Sequence, residues 1–179
     1  MMKIYAARHG ETEWNALNRV CGRTDLGLTE KGEEQARELA EKASGKDIGL
    51  IISSPMLRAR QTCAVIAGRL GLGFITDSRL IEQDFGIYEG ADRFDEGFLA
   101  NKRMFAYRYP GGESMMQVAC RVYGLLDEVR EKYRGLNVLL VCHGGVCRVI
   151  NTYFRDMTND EYFGYSMPNC GLEEYIADE

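Results

Sequence analysis

Two histidines carry most of the chemistry that this sequence offers. They are the only histidines among 179 residues, and each ends an apolar run directly before glycine: His9 in KIYAARHG and His143 in VLLVCHGG. An imidazole can act as a nucleophile, a base, a metal ligand or a structural hydrogen-bond donor, so its neighbours decide its role. A lone histidine at a strand end is usually structural, but the repeated setting favours one shared site.

Two arginines indicate what that site binds. Arg8 adjoins His9, and Arg58 in SSPMLRARQT should approach from another strand end. Guanidinium groups match the geometry of phosphate and stay charged at all working pH values. Gly144 follows His143 and opens a predicted helix, whose first N–H groups suit an anion. Together these groups predict a pocket for a dianionic phosphoryl group.

The elements that must position these residues alternate along the chain. Strands are predicted at 3–8, 48–54, 73–76, 137–143 and, as a final edge strand, 171–178. Helices are predicted at 29–43, 55–71, within 92–105, at 113–133 and at 145–154. This alternation indicates an α/β fold with a mainly parallel sheet covered on both faces. Ligands of such sheets bind beyond the carboxyl ends of the strands, where both histidines fall.

Composition restricts the class of protein further. A chain of this length fits one domain, 1–179, and can bury a sizeable core. The net charge of −5 argues against general binding to nucleic acids or acidic membranes, though not against a small anion. The N-terminal apolar stretch is too short for a signal peptide, and no stretch approaches a membrane-spanning length. We therefore expect a cytoplasmic protein.

The cysteines predict neither disulfides nor a metal centre. The six cysteines lack the spacing of a disulfide framework, and several lie in apolar runs, so we expect reduced and mostly buried thiols. Cys142, His143 and Cys147 could belong to a metal site, but zinc usually needs further ligands, and no second CxxC or HxxxH pattern supplies them. We expect neither a metal nor another cofactor.

Five segments, in order, resemble one family. ARHGETEWN, SSPMLRARQT, LIEQDFGIYEG, GGES and VCHGG are similar to the motif set of the histidine phosphatase superfamily, the phosphoglycerate-mutase-like proteins. The resemblance covers residues 3–145. It implies a three-layer α/β/α sandwich with a mainly parallel central sheet, and a reaction through phosphohistidine.

The same resemblance assigns roles to residues. His9 would be the nucleophile, while Arg8, Arg58 and His143 would hold the phosphoryl oxygens. Glu82 matches the family's proton donor. Thr12 and Asn15 would contact phosphate or substrate, and Glu11 should organise the first loop.

Elementary chemistry sets conditions on these roles. His9 must be neutral at its attacking nitrogen, so its other nitrogen should donate to a carbonyl. A charged His143 would stabilise the negative charge of the transferring group. Glu82 must carry a proton to protonate the leaving alkoxide, and could afterwards act as a base for water. The arginines supply the charge that a metal ion supplies elsewhere.

The substrate side departs from the family pattern. RVCGRTDLGLT carries Cys21 where glutamine is frequent and Gly27 where proline is frequent. Cys21 is either part of the mouth of the site or an incidental small residue. Cys21, Gly22 and Gly144 are our further candidates for substrate contacts.

A segment of about 81–111 should form a small cap over the site. Its stretch 92–109 suits an anion with an organic body, although a packed cap helix with solvated charges would look the same. The residues that suggest this are Arg93, Phe94, Phe98, Lys102, Arg103, Phe105, Tyr107 and Arg108.

These features predict a metal-independent phosphomonoesterase that acts on a small phosphorylated metabolite through phosphohistidine. One alternative is a phosphoglycerate mutase, an isomerase with the same intermediate. A second alternative is a non-catalytic, phosphate-binding regulator. The short cap favours the phosphatase, because a mutase must exclude water while its bound product reorients.

Overall fold

The computed structural model describes residues 1–177. One sheet contains β1 (Lys3–Arg8), β2 (Ile48–Ser53), β3 (Ile75–Thr76), β4 (Asn137–Cys142) and β5 (Leu172–Ile176), in the order β3-β2-β4-β1-β5. Every neighbouring pair is parallel except β1 with β5. The mainly parallel sheet and the edge position of the last strand are as predicted. Residue 178, at the end of the predicted last strand, lies outside the described residues.

Helices pack on both faces of the sheet. They are α1 (Glu13–Ala16), α2 (Glu30–Ser44), α3 (Leu57–Leu70), α4 (Glu96–Lys102), α5 (Met115–Lys132), α6 (Gly144–Phe154) and α7 (Asn159–Gly164). The sequence did not predict α1 and α7, which are short and lack a long apolar stripe. Both begin with a capping box, at Thr12 and Thr158. Among residues 1–177, no helix is both long and apolar enough to span a bilayer.

Alternation along the central strands divides the core into two layers. Ile4 and Ala6 of β1 face a cluster that includes α5 and α6. Tyr5 and Ala7 face the other cluster, which includes α2 and α3. Because successive side chains of a strand point to opposite faces, this arrangement buries both sides of the sheet. The result is the predicted three-layer α/β/α sandwich.

Strand register brings the two histidines together. Arg8 at the end of β1 pairs with Cys142 at the end of β4. The next residue, His9, donates its backbone N–H to the Cys142 carbonyl at 3.0 Å. β2 borders β4 on its other side and leads into α3, which carries Arg58. Three neighbouring strands therefore deliver the candidate residues to one edge.

An aromatic cluster holds the cap segment together. Phe98 of α4 packs with Tyr109 and Val20, and Phe85 and Tyr88 border them. The helix predicted within 92–105 is α4, and its N-cap Asp95 accepts from the Phe98 N–H at 2.8 Å. The cap rests beside the same edge of the sheet that carries the histidines, because Phe85 and Phe98 also line the pocket there.

Candidate active site

His9 is held as a neutral imidazole with a defined tautomer. Its Nδ1 lies 2.7 Å from the Gly10 carbonyl, which can only accept, so Nδ1 carries the proton and donates. The lone pair is therefore on Nε2. Burial, followed by the charges of Arg58 and Arg8, lowers the pKa of His9 well below 6.5. This is the state that the sequence analysis required of a nucleophile.

Arg58 lies between the two histidines and is fully buried. Its Nε–H is 3.2 Å from His9 Nε2 and 3.2 Å from His143 Nδ1. Its Nη1 and Nη2 donate to the carbonyls of Thr24 and Gly22, each at 2.8 Å. These bonds place one full positive charge next to Nε2 of His9.

A carboxylate of the cap fixes the loop that holds Arg58. Glu89 Oε1 accepts from the backbone N–H of Gly22 at 2.6 Å, and Oε2 accepts from that of Arg23 at 2.9 Å. Glu89 therefore holds the backbone of the loop whose Gly22 carbonyl accepts from Arg58. A Cβ at Gly22 would lie 2.4 Å from the Gln83 carbonyl oxygen, so only glycine fits there.

His143 differs from the sequence expectation in its charge. Its Nδ1 accepts from Arg58, so Nε2 carries the proton and donates to Ser54 Oγ at 2.8 Å. Burial and the neighbouring charge of Arg58 lower its pKa well below 6.5. His143 is therefore neutral without a ligand, and a bound dianion would raise that pKa.

Arg8 faces the pocket from the end of β1. Its Nη1 donates to the Met167 carbonyl at 2.8 Å. Its Nε is buried and has no hydrogen-bond partner among the described residues. A Cβ placed on Gly144 would lie 3.6 Å from this Nε. Because an unpaired buried donor costs free energy, this group suits an anionic ligand.

Glu82 is docked at the start of α6. Its Oε1 accepts from the Gln83 N–H at 2.9 Å, and Oε2 accepts from the Gly145 N–H at 3.0 Å. A Cβ on Gly145 would come within 2.5 Å of Oε1, which explains this glycine. The sequence predicts that the N-terminus of α6 binds phosphate. In the structure, one of its donors, the Gly145 N–H, is already bound to Glu82.

The first loop positions Asn15 rather than Thr12. The Thr12 side chain is fully buried and accepts from the Asn15 N–H at 3.3 Å, so a direct substrate contact of Thr12 is not part of this geometry. Asn15 Oδ1 accepts from the Thr12 N–H at 3.2 Å and from Asn169 Nδ2 at 3.1 Å. The Asn15 side-chain NH₂ remains as a donor at the pocket wall. Asn169 also donates to the His9 carbonyl at 3.0 Å, a role that the sequence analysis missed.

A pocket of about 260 Å³ opens above these groups. Six of the predicted site residues line it: Arg8, His9, Asn15, Cys21, Glu82 and Gly144. Arg58 and His143 are fully buried beside His9 and are not part of the pocket wall. Gly22 is also buried behind the wall, so its place in the site is to hold Arg58, not to contact substrate directly.

The cap contributes part of the basic and aromatic set. Arg93, Phe94, Phe98 and Lys102 line the pocket, whereas Arg103, Phe105, Tyr107 and Arg108 are not on its wall. Arg148 of α6 also lines the pocket and was missed by the sequence analysis. It lies four residues after Gly144, one helical turn along the same face, and this spacing could have found it.

The cysteines are free thiols. Cys142 and Cys147, on either side of His143, are buried with their sulfur atoms 3.4 Å apart. Cys21 is half-buried at the pocket, and burial raises its pKa. Within residues 1–177, no group of three or more His, Cys, Asp or Glu side chains could hold a metal ion.

Comparisons with known proteins agree with this geometry. The sequence profile of the histidine phosphatase superfamily (branch 1) matches residues 4–179. A protein named probable phosphoglycerate mutase GpmB, from Salmonella choleraesuis (strain SC-B67), is 40% identical over 152 residues, which are 80% of this chain and 70% of that protein.

Two solved structures resemble the whole chain. A mycobacterial glucosyl-3-phosphoglycerate phosphatase superposes with a TM-score of 0.84 at 27% identity, over 97% of this chain and 89% of that one. A phosphoserine phosphatase from Entamoeba histolytica, in complex with 3-phosphoglyceric acid, has a TM-score of 0.85 at 28% identity, over 98% and 91%. Both the sequence match and the fold lead to one conclusion: this chain belongs to the histidine phosphatase superfamily.

Proposed function

We propose that the protein is a metal-independent phosphomonoesterase that transfers the phosphoryl group of a small metabolite to His9 and then to water. The observation that carries this proposal is the state of His9. Its Nδ1–H is held by the Gly10 carbonyl at 2.7 Å, and its Nε2 lone pair lies beside the Arg58 cation. A neutral nucleophile next to a fixed positive charge suits attack on an anionic ester.

The first step forms the N–P bond. The Nε2 lone pair of His9 attacks phosphorus while the bond from phosphorus to the ester oxygen breaks. The leaving oxygen takes a proton from the Glu82 carboxyl, which faces the same pocket. Arg8 and Arg58 stabilise the charge on the phosphoryl oxygens, and His143 donates once it is protonated or reoriented.

The second step regenerates the enzyme. Glu82, now a carboxylate, removes a proton from water, and the water oxygen attacks phosphorus as the N–P bond breaks. Inorganic phosphate leaves, His9 recovers its lone pair, and Glu82 is protonated again. The two steps balance without an added cofactor.

The phosphatase structures with which this chain superposes support hydrolysis as the outcome. The curated relatives named probable phosphoglycerate mutase favour the alternative, in which the phosphoryl group returns to the bound product. We prefer the phosphatase because the cap, about 81–111, contains only one short α-helix, α4, and one turn of 3-10 helix. A small cap leaves phosphohistidine open to water.

Turnover of 4-nitrophenyl phosphate with and without excess chelator tests the proposal. We expect hydrolysis that survives chelation and is nearly abolished in His9→Ala. Arg58→Ala should cost about 3 kcal/mol of transition-state stabilisation. No turnover by the wild type would favour a phosphate-binding regulator, and loss in chelator that magnesium or zinc restores would overturn the metal-independent mechanism.

Two further measurements test the phosphohistidine intermediate and distinguish a phosphatase from a mutase. An alkaline denaturing quench during turnover should leave phosphate on His9, and a label on cysteine or serine would contradict the mechanism. With 2- and 3-phosphoglycerate, we expect release of inorganic phosphate to be much faster than interconversion. Rapid interconversion with little release would establish the mutase instead.

A further inference from the structure

The pocket contains more positive charge than a phosphoryl group needs. Besides Arg8, it is lined by Arg93 and Lys102 from the cap and by Arg148 from α6. Of the described residues on its wall, Glu82 alone is acidic. This excess occurs in a chain whose formal net charge is −5, so it is a local feature rather than a general one.

None of these three cations has an acidic partner in the part of the chain that the structure describes. The ion pairs there involve other lysines and arginines, such as Arg79 with Asp77 and Arg121 with Glu113. Arg148 donates from Nε and Nη2 to the Tyr165 carbonyl, at 3.2 and 2.9 Å, and stacks over the Tyr162 ring. Its guanidinium is therefore fixed in place while its charge stays unneutralised.

The three charges repel one another across the pocket. Burial, followed by the charges of Arg148, Arg93 and Arg103, lowers the pKa of Lys102 to about 8. Arg93 also lowers the pKa of His9. Arg93, Lys102 and Arg148 are therefore like charges on the wall of the pocket that His9 also lines.

We infer that Arg93, Lys102 and Arg148 form a second anion-binding subsite in the pocket that His9 lines, and that the substrate is a phosphomonoester with a second anionic group. This inference rests on the proposed function and adds the class of substrate. A carboxylate or a second phosphate would neutralise these charges, which have no acidic partner among the described residues. Such a group satisfies a guanidinium fork and an ammonium at once.

The other residues of the pocket wall indicate which kind of chemical group would join the two anions of the substrate. Phe94 and Phe98 of the cap and Phe163 of α7 line the pocket with these cations. Aromatic rings offer apolar surface against which a carbon skeleton can pack. A compact metabolite with an anion at each end fits this combination of walls and charges.

Paired substrates test the subsite. The carboxylate pair is 3-phosphoglycerate and glycerol 3-phosphate, and the phosphate pair is fructose 1,6-bisphosphate and fructose 6-phosphate. We expect the wild type to favour the doubly anionic member of one pair at least tenfold in kcat/KM. The pair that shows the preference identifies the second group. A lack of preference in both pairs overturns the inference.

Substitutions locate the preference. Lys102→Met and Arg148→Met should each reduce it severalfold, whereas Arg108→Met, which removes an exposed cap charge away from the pocket, should leave it unchanged. Equal effects of Lys102→Met and Arg108→Met would show a general charge effect and overturn the subsite.

Calorimetry on His9→Ala separates this inference from the proposed function. We expect 3-phosphoglycerate or the bisphosphate to bind more tightly than its singly charged counterpart, whether or not the wild type hydrolyses it. Hydrolysis of 4-nitrophenyl phosphate without any such selectivity would leave the phosphatase standing and remove the subsite. Selective binding without hydrolysis of any substrate would support the subsite and contradict the proposed phosphatase.

Discussion

Arg58 Nε lies 3.2 Å from Nε2 of His9, the nitrogen that we propose as the nucleophile. The same N–H is shared with His143 Nδ1, so neither imidazole receives it fully. A shared, long hydrogen bond is easily given up when a phosphoryl group arrives. The guanidinium charge meanwhile keeps a proton off His9, because protonation would place two cations side by side.

This relationship predicts the acid limb of the pH profile. Burial and Arg58 both lower the pKa of His9, so His9 stays neutral as the pH falls. We therefore expect kcat/KM for 4-nitrophenyl phosphate to stay constant down to well below pH 6.5. Arg58→Met removes the charge and should move the limb to higher pH as well as reduce the rate. Arg60→Met, an exposed arginine on the same helix, is the matched control. An unmoved limb in Arg58→Met would contradict the electrostatic role.

The role of Glu82 is tested by leaving groups. Glu82→Gln cannot protonate an alkoxide, so turnover of an alkyl phosphate should fall by about 100-fold. Turnover of 4-nitrophenyl phosphate should fall much less, because nitrophenolate leaves without a proton. Any structural change at Gly145 and Gln83, whose N–H groups Glu82 binds, would affect both substrates alike. It would therefore not change the ratio of the two rates. Equal losses for both substrates would rule out Glu82 as the proton donor, and the exposed Glu96→Gln serves as control.

Local patterns account for what the sequence could predict. The apolar runs before His9 and His143 predicted two buried strands that end at one edge, and the register of Arg8 with Cys142 agrees. Thr12 shows the limit of a motif, because its hydroxyl caps α1. The spacing from Thr12 to Asn15 is that of a capping box and could have indicated this structural role.

Distant contacts account for what the sequence could not predict. The neutral state of His143 depends on Ser54 and Arg58, which the fold brings to it from elsewhere in the chain. Asn169 reaches His9 across 160 positions, and no pattern near Asn169 indicates this. Residue types reveal which groups are available, whereas tautomers and charge states follow from tertiary contacts.

Asn169 should act through Asn15. Its Nδ2 fixes Asn15 Oδ1, so Asn169→Ala frees the Asn15 amide and should lower kcat/KM about tenfold. Asn169→Asp should be worse, because a carboxylate would face the oxygens of Asn15 and of the His9 backbone. In a double-mutant cycle, Asn15→Ala with Asn169→Ala should be little worse than Asn15→Ala alone. Additive losses would show that the two residues act independently.

Stability should fall in mild acid because of the buried histidines. The folded pKa values of His9 and His143 lie below 6.5, so their contribution is complete above pH 6.5 and is lost as the pH falls towards the folded values. Each histidine should contribute a slope of about 1.4 kcal/mol per pH unit. Urea unfolding between about pH 6 and pH 5 measures this slope. His9→Gln should remove roughly half of it, and a flat wild-type profile would contradict neutral burial.

Lys102 should make substrate selectivity depend on pH in mild alkali. Its pKa is lowered to about 8 by burial and by Arg148, Arg93 and Arg103, which face it and stay charged. Raising the pH through about 8 removes the Lys102 charge, so the preference for the doubly anionic substrate of a pair should decline there. Lys102→Arg keeps its charge and should hold the preference constant to about pH 9, whereas Lys102→Met should show a reduced preference that does not change over this pH range. The same decline in Lys102→Arg as in the wild type would mean that another group titrates, and would remove Lys102 from the subsite.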